Sequence, residues 1–264
     1  MNFGVGAANT LQIDVNGNII IANTGGTLYT TTAGTSNLRL GSGAGNSIAS
    51  GGIQNVLLGD EAGTAIITGD YNTAVGYKAL YSDTEGNRSV AIGREALLTQ
   101  NFTSGTSVYN CAVGYSSGLL NETGKQNTLL GAFTGYYGTT ADNNTFVGYA
   151  AGFGNSGAAL TGNNNTAIGS QAGSDLQGTA TDNTFVGHDT AKSLTTATKN
   201  THVGTGAGGV GVITGTRNNS FGYGAGEDLT SGTNNVFMGS LSGKGITTGV
   251  SNTVCGEAAL IAET

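Results

Sequence analysis

The chain of 264 residues contains no proline and no tryptophan, and only 9% of its residues are charged. Ordinary soluble domains carry about 25% charged residues, so the composition is not that of a typical enzyme. The missing prolines suit a chain whose backbone N–H groups are nearly all needed as donors between strands. No apolar run approaches the roughly 20 residues of a membrane-spanning helix. A net charge of −7 without any basic run argues against nucleic acid and anionic membrane as partners.

Glycine, by contrast, is abundant at 48 residues, and much of it belongs to a phrase that returns thirteen times. The phrase is an Asn, two variable residues, an apolar residue and a closing Gly, as in residues 72–76. Successive closing glycines are 17 or 18 residues apart, except for two steps of 21. An internal period of this kind dictates the architecture. We take as representative repeat positions Asn72, Gly76, Asn127, Gly131, Asn144, Gly148, Asn165, Gly169, Asn183 and Gly187.

The period predicts an all-β fold. A unit of 17 residues is too short for a βαβ element or a helical hairpin, and its apolar positions do not recur at helical spacing. Frequent glycine would also cost a helix about 1 kcal/mol per residue. We therefore expect a parallel β-solenoid, or β-roll, of about 13 coils over residues 37–264, with one 17–18-residue repeat per coil. At about 4.8 Å per strand, such a rod is roughly 60 Å long.

Alternation along the phrase predicts which residues face the core. The residue before the closing Gly is apolar in every copy, so its side of the strand is expected to point inward, as for Val147 and Thr145. The other side then carries Ala74, Phe146, Phe185 and His202. The Gly and Ala positions that follow are expected to form a tight corner and a thin second strand. The Asn residues are expected to stack in a hydrogen-bonded ladder between coils.

Residues 1–36 stand apart from the array and are predicted to form an N-terminal β-hairpin cap or linker. Residues 11–15 and 18–21 read as two strands around Asn16-Gly17, a strong two-residue hairpin signal. A cap has a physical purpose, because the end of a solenoid is an exposed strand edge.

Two further features concern assembly. Coils with so many Ala and Gly residues bury little surface alone, which favours a parallel homotrimer and allows a longer filament. Cys111 and Cys255 lie eight repeats apart, or roughly 38 Å along the rod. A disulfide needs Cα atoms within about 7 Å, so both are expected to be unpaired within the chain.

The repeat phrase resembles two families of surface fibres. Ser89-Val-Ala-Ile-Gly93 resembles the head repeats of trimeric autotransporter adhesins. Residues 72–77, Asn-Thr-Ala-Val-Gly-Tyr, are similar to repeats of tail-fibre-like proteins of phages and large viruses. The resemblance covers residues 37–264 and implies a trimeric fibre that is extracellular, on a virion or a cell surface. The period is longer than in the adhesin heads, and neither a heptad stalk nor an anchor barrel follows, which favours the virion fibre.

The sequence offers no catalytic, cofactor or metal constellation. The two histidines, His188 and His202, lack Cys or carboxylate partners at ligand spacing and are interpreted as surface or axis substitutions. The acidic pairs 60–61 and 227–228 follow a corner, where charge keeps an edge soluble. They are the residues a glycan-cleaving enzyme would use. We therefore predict a protein that is not an enzyme.

The position after the closing Gly holds four tyrosines, which are candidate glycan contacts through ring stacking, with packing against the neighbouring coil as the alternative: Tyr77, Tyr115, Tyr149 and Tyr223. A flat array rich in threonine would also be typical of an ice-binding protein, but the sequence has no paired Thr-x-Thr file that such a protein would use.

Three functions follow as hypotheses. The first is a structural shaft or head segment of a fibre that supports attachment to a host or surface. The second is an adhesin that binds glycan or matrix through its repetitive face, and the third is a glycan-degrading tailspike.

Overall fold

The residues that the structure describes form sixteen short strands. The computed structural model describes residues 34–209 and 212–261, and before them the backbone of three strands only. Within these residues there is no helix. The strands are β1 Phe3–Gly4, β2 Thr10–Ile13, β3 Ile19–Ala22, β4 Leu38–Leu40, β5 Val56–Leu58, β6 Thr73–Val75, β7 Val90–Ile92, β8 Cys111–Val113, β9 Thr128–Leu130, β10 Thr145–Val147, β11 Thr166–Ile168, β12 Thr184–Val186, β13 Thr201–Val203, β14 Asn219–Phe221, β15 Val236–Met238 and β16 Thr253–Cys255.

Strands β4 to β16 form one parallel sheet of 13 strands in sequence order. Each repeat pairs with the next in register, so that Thr145 lies beside Thr166 and Val147 beside Ile168. Parallel neighbours in sequence order, one strand per repeat, are the geometry of a solenoid in which each repeat completes one coil. The predicted all-β parallel solenoid of about 13 coils is therefore confirmed.

The predicted inward face was wrong, because the strands turn their other side to the core. The central residue of each three-residue strand is buried, as for Ala74 and Phe185. The constant apolar residue instead points outward, and Ile168 is 40% exposed. The interior of a thin coil must be filled by side chains of different sizes in different coils, so the strand-centre residue varies. The residue before the closing Gly can stay the same in every coil because it lies on the surface.

Three files of side chains make up the core. The first comprises the strand centres, and the second is the small residue three places after the closing Gly, such as Ala62 or Ala172. The third file was not anticipated and consists of buried Leu and Ile residues on a further wall of the coil: Ile48, Ile66, Leu160, Leu176, Leu194, Ile213, Leu229 and Ile246. The coil consequently has more core of its own than the sequence suggested.

Side-chain size is balanced within several of the coils. A Cβ on Gly152, four places after a closing Gly, would lie 2.5 Å from the ring of the strand-centre residue Phe146. Where the strand centre is Ala74, the equivalent position holds the buried Leu80 instead. A large residue at one position thus accompanies a small one at the other, as close packing of a narrow interior requires.

A run of turns replaces the predicted second strand. After each closing Gly the described backbone follows turn geometry, with positive φ at residues two and four places later, as at Lys78 (φ 54°) and Leu80 (φ 51°). The closing Gly itself is required by space: at Gly148 (φ 126°) a Cβ would lie 2.6 Å from the carbonyl oxygen of Gly169 in the next coil. The glycine file therefore sets how closely the coils stack.

The N-terminal strands form a separate antiparallel sheet in the order β1-β2-β3. β2 pairs with β3 so that Thr10 lies opposite Ala22 and Ile13 opposite Ile19. This is the predicted pair of strands, displaced by about one residue at each end. The predicted Asn16-Gly17 turn lies outside the described residues, and the role of residues 1–36 as cap or linker stays a prediction.

Candidate functional site

A ladder of asparagines runs through the interior of the solenoid. The backbone N–H of Asn165 donates to Oδ1 of Asn144 at 2.8 Å, and the same bond recurs between the other successive asparagines of the phrase at up to 3.2 Å. The side-chain amide of Asn127 donates to the carbonyl of Ala141 at 2.7 Å, so it also closes a corner of the following coil. These side chains are buried and satisfied, and the predicted ladder is confirmed as a structural element.

The outward side of the sheet presents two parallel rows, which we call the outward strip. The first row holds the first residue of each strand from β4 to β16, and Thr occupies it in seven: Thr73, Thr128, Thr145, Thr166, Thr184, Thr201 and Thr253. The second row is the constant apolar residue, and its exposed members include Leu40 at 68% and Met238 at 50%. A surface that is apolar in every coil is unusual for a water-facing sheet.

Both cysteines lie on this strip. Cys111 begins β8 and is half-buried, Cys255 ends β16 and is exposed, and both are free thiols. The prediction that they are unpaired within the chain is confirmed. The strip therefore carries a native chemical handle near its middle and another at its C-terminal end.

The edge next to the strip carries the predicted tyrosines, and all four are exposed. The guanidinium carbon of Arg94 lies 5.6 Å from the ring centre of Tyr77 and 5.3 Å from that of Tyr115. Such cation–π contacts link neighbouring coils. Along the same edge, Lys78 pairs with Glu61 across two coils at 3.3 Å.

Between β9 and β12 this edge becomes aromatic. The ring of Phe133 lies 5.2 Å from that of Tyr115 and 6.0 Å from that of Tyr149, both edge-on. Phe153 lies 6.4 Å from Phe133 and 5.2 Å from Tyr136. Of the four predicted tyrosines, Tyr115 and Tyr149 thus belong to one aromatic cluster. Tyr77 contacts Arg94 instead, and Tyr223 lies outside the cluster, in the coil of β14. Phe133 was missed because its position is not aromatic in other coils, and Phe153 because its position is aromatic only in Tyr81 and Tyr136 besides.

The two histidines occupy different environments. His188 is exposed, with its Nδ1 3.4 Å from a carboxylate oxygen of Asp189. His202 was predicted at the surface or axis but is fully buried at a strand centre, stacked on Phe185 with ring centres 5.7 Å apart. Neither of its ring nitrogens has a hydrogen-bond partner. Burial lowers the pKa of His202 to about 3, so the ring is neutral in the fold.

The glutamate of each acidic pair is held in an ion pair. Glu227 accepts Lys244 at 2.8 Å, and Glu61 holds Lys78 as described above. The hydrogen bond and charge of Glu227 raise the pKa of Lys244. Among the described residues no group of three or more His, Cys, Asp or Glu side chains is placed to hold a metal ion.

In the described part of the chain, no helix has the length and apolarity needed to cross a membrane. No protein-family model matches the sequence, and neither a curated protein nor a solved structure matches it. The solenoid architecture therefore rests on this structure, whereas the resemblance to adhesin heads and tail fibres stays a prediction.

Proposed function

We propose that the protein is a non-enzymatic structural segment of an extracellular fibre, on a virion or a cell surface, in which three parallel chains associate through their outward strips. The observation that carries the proposal is the strip itself. Its second row is apolar in every coil and Thr recurs at seven of the thirteen positions of its first row, although that side of the sheet faces away from the chain's own core. Uniformity along a rod is what a lateral contact with an identical, parallel rod requires.

The size of the strip supports a subunit contact. Thirteen strands at about 4.8 Å give a length of roughly 60 Å, and two rows give a width of about 10 Å. The resulting area is on the order of 600 Å², and the constant apolar row accounts for about half of it, at the lower end of the largest apolar patches that typical monomers expose. In a trimer each chain would bury about 300 Å² against each of two neighbours, compared with roughly 800 Å² per partner in a stable two-chain interface. Covering the strip would therefore remove one exposed apolar row from water in every coil.

Two rows per chain favour a threefold arrangement. Around a central axis, each chain has two neighbours, and the Thr-containing row and the constant apolar row can each face one of them. Such a heterologous contact closes into a ring when the rotation is one third of a turn. Within one chain the strands are in register, as Thr145 and Thr166 are on neighbouring coils. The contact between chains would therefore recur once per coil.

The other two hypotheses differ in their support. An adhesin that binds glycan through its tyrosine face is supported by the exposure of Tyr77, Tyr115, Tyr149 and Tyr223. A glycan-degrading tailspike has less support, because Glu61 and Glu227 are each held in an ion pair. Release of reducing sugar from host polysaccharides by the protein would support the tailspike hypothesis.

The native Cys111 tests the association directly. In a Cys255→Ala background, the proposal places the Cys111 thiols of three chains around one axis, so a short bismaleimide should convert the protein efficiently into covalent dimers, even in dilute solution. The matched control moves the thiol to another exposed wall of the coil, with Cys111→Ala and Thr196→Cys, and should remain uncross-linked.

Equal cross-linking of both variants, or none with Cys111, would overturn the proposal. If the protein were a monomer, its outward strip would present rows of Thr and aliphatic side chains to water on one face. Thermal hysteresis, measured as a lowered freezing point of the protein solution, would then show that the strip binds ice and not a second chain.

A further inference from the structure

One stretch of the solenoid edge departs from the repeat. In six other coils one or both of the positions two and five places after the closing Gly hold a charged residue, such as Glu227, whose carboxylate binds Lys244 of the next coil. In the coils of β9 and β10 they hold Phe133, Tyr136 and Phe153, whose rings contact one another. Because the asparagine ladder and the buried strand centres Leu129 and Phe146 continue through these coils, the aromatic residues are not needed to form the coil.

The aromatic cluster forms one side of an open groove. The groove has a volume of about 450 Å³ and is lined on one side by Phe133, Tyr149 and Phe153. On the other side, in the coils of β11 and β12, lie Gln171, Asp175 and Lys192. Its size falls within the range of about 300–1,000 Å³ typical of small-ligand sites.

The two sides of the groove differ in chemistry in a way that suits a sugar. Aromatic rings offer flat apolar surfaces, and an amide, a carboxylate and an ammonium group can donate to and accept from hydroxyl groups. We propose that this groove is a carbohydrate-binding site for a neutral hexopyranose oligosaccharide, with sugar rings packed on Phe133 and Tyr149 and hydroxyl groups bound by Gln171 and Asp175.

The charges in the groove favour a neutral ligand. The ammonium group of Lys192 lies 3.3 Å from a carboxylate oxygen of Asp189 and also faces Asp175. One cation beside two carboxylates leaves no excess positive charge for an acidic sugar. Partial burial raises the pKa of Asp175, and the charge of Lys192 opposes the rise. Burial means that the carboxylate has fewer water molecules to accept hydrogen bonds from, and a sugar hydroxyl group that donates to it would replace them.

The chain is also longer here. The coil that begins with β10 is one of the two with a step of 21 residues, and the four consecutive exposed residues 155–158 follow Phe153 and Gly154 directly. The Oδ1 of Asn155 accepts a hydrogen bond from the backbone of Gly157 at 2.8 Å, which gives this loop a defined turn. The loop therefore adds exposed backbone beside the aromatic side of the groove.

This site goes beyond the proposed fibre role and is carried by a single chain, so it does not depend on the threefold association. Its test uses the assembled protein and saturation-transfer NMR with three probes: maltohexaose, cellohexaose and a hyaluronan hexasaccharide. The first variant is Phe133→Gln. Gln171 occupies the equivalent position two coils on, and both positions have positive φ, at 60° and 56°, so the backbone is preserved.

The second variant, Gln171→Ala, removes the amide, and Ala150 provides the precedent at the equivalent position with φ 52°. Tyr223→Gln, at an exposed tyrosine outside the groove, is the matched control. We expect binding of at least one neutral hexasaccharide, weakened about tenfold or more by either groove variant, as loss of a ring contact or a bidentate amide implies. Tyr223→Gln should leave binding unchanged.

Three outcomes would overturn the site. Wild-type protein that binds none of the probes at millimolar concentration lacks it, and binding that prefers hyaluronan contradicts the charge argument. A Phe133→Gln protein whose mass by light scattering falls to that of one chain would show the aromatic cluster to be a subunit contact. Loss of sugar binding at unchanged mass supports the site whatever the number of chains.

Discussion

The side-chain amide of Gln100 donates to the hydroxyl of Ser89 at 3.0 Å. Ser89 is the one place where the repeat phrase lacks its Asn. Gln100 comes from the far wall of the same coil, where other coils have Leu or Ile, and its Oε1 accepts from the amide of Asn110 at 2.8 Å. It also donates to the buried carboxylate of Asp83 at 2.6 Å. Gln100 thus bridges the gap in the asparagine ladder.

Gln100→Leu should lower the free energy of unfolding by about 2–4 kcal/mol, although Leu suits this wall elsewhere. The loss arises because Asp83 and Asn110 are left with buried groups that lack a partner. Gln177→Leu, at a half-buried side chain outside the ladder, is the control and should change stability by no more than about 0.5 kcal/mol. Equal effects in chemical denaturation would mean that the bridge contributes nothing.

Gly148→Val should cost several kcal/mol. The added Cβ would lie 2.6 Å from the carbonyl of Gly169, and valine does not adopt a φ of 126° without strain. Gly105→Val is the matched substitution, because the nearest atom to a Cβ there is 3.9 Å away. A melting temperature of Gly148→Val equal to that of Gly105→Val would show that the coils do not depend on this close approach.

Much of the fold follows from the repeat, but its inward face does not. The number of coils, the parallel register and the asparagine ladder follow from the number and spacing of the repeats, because each coil must place its Asn directly above the Asn of the preceding coil. The orientation of Val147 could not be read from constancy, since a uniform outer surface and a uniform core give the same pattern. The size balance between Phe146 and Gly152, visible in the sequence, is the signal that identifies the core position.

The candidate sites are harder to predict for the same reason. Phe133 and Phe153 lie at positions that vary widely between coils, and Gln100 replaces a Leu or Ile of the third core file, which was not anticipated. Their significance depends on neighbours 10 to 59 residues away along the chain, which only the stacking of coils brings together. The burial of His202 was missed because its strand-centre position had been assigned to the surface.

His202 makes stability depend on acid. Its pKa is about 3 in the fold and about 6.5 when exposed, so below about pH 6.5 the unfolded chain binds more protons. Its share of stability is therefore complete above pH 6.5 and is lost as the pH falls towards 3, at about 1.4 kcal/mol per unit.

His202→Phe, which matches Phe185 and Phe237 at equivalent positions, should stabilise the protein and remove this loss. The measurement is the free energy of unfolding of both proteins between pH 7 and pH 4. The difference between them isolates His202 from the carboxylates that also titrate in this range. Curves that stay parallel would contradict the burial of a neutral, unpartnered ring.

The solution mass of the intact protein, by light scattering, tests most directly whether the outward strip holds the chains together. We predict three times the chain mass of 26.1 kDa. Ile168→Glu, on the strip, should reduce the mass to that of one chain, because three carboxylates would meet at a dry contact. Thr196→Glu, off the strip, should leave the mass unchanged. A wild-type mass of one chain, or an Ile168→Glu protein that keeps the full mass, would contradict the account.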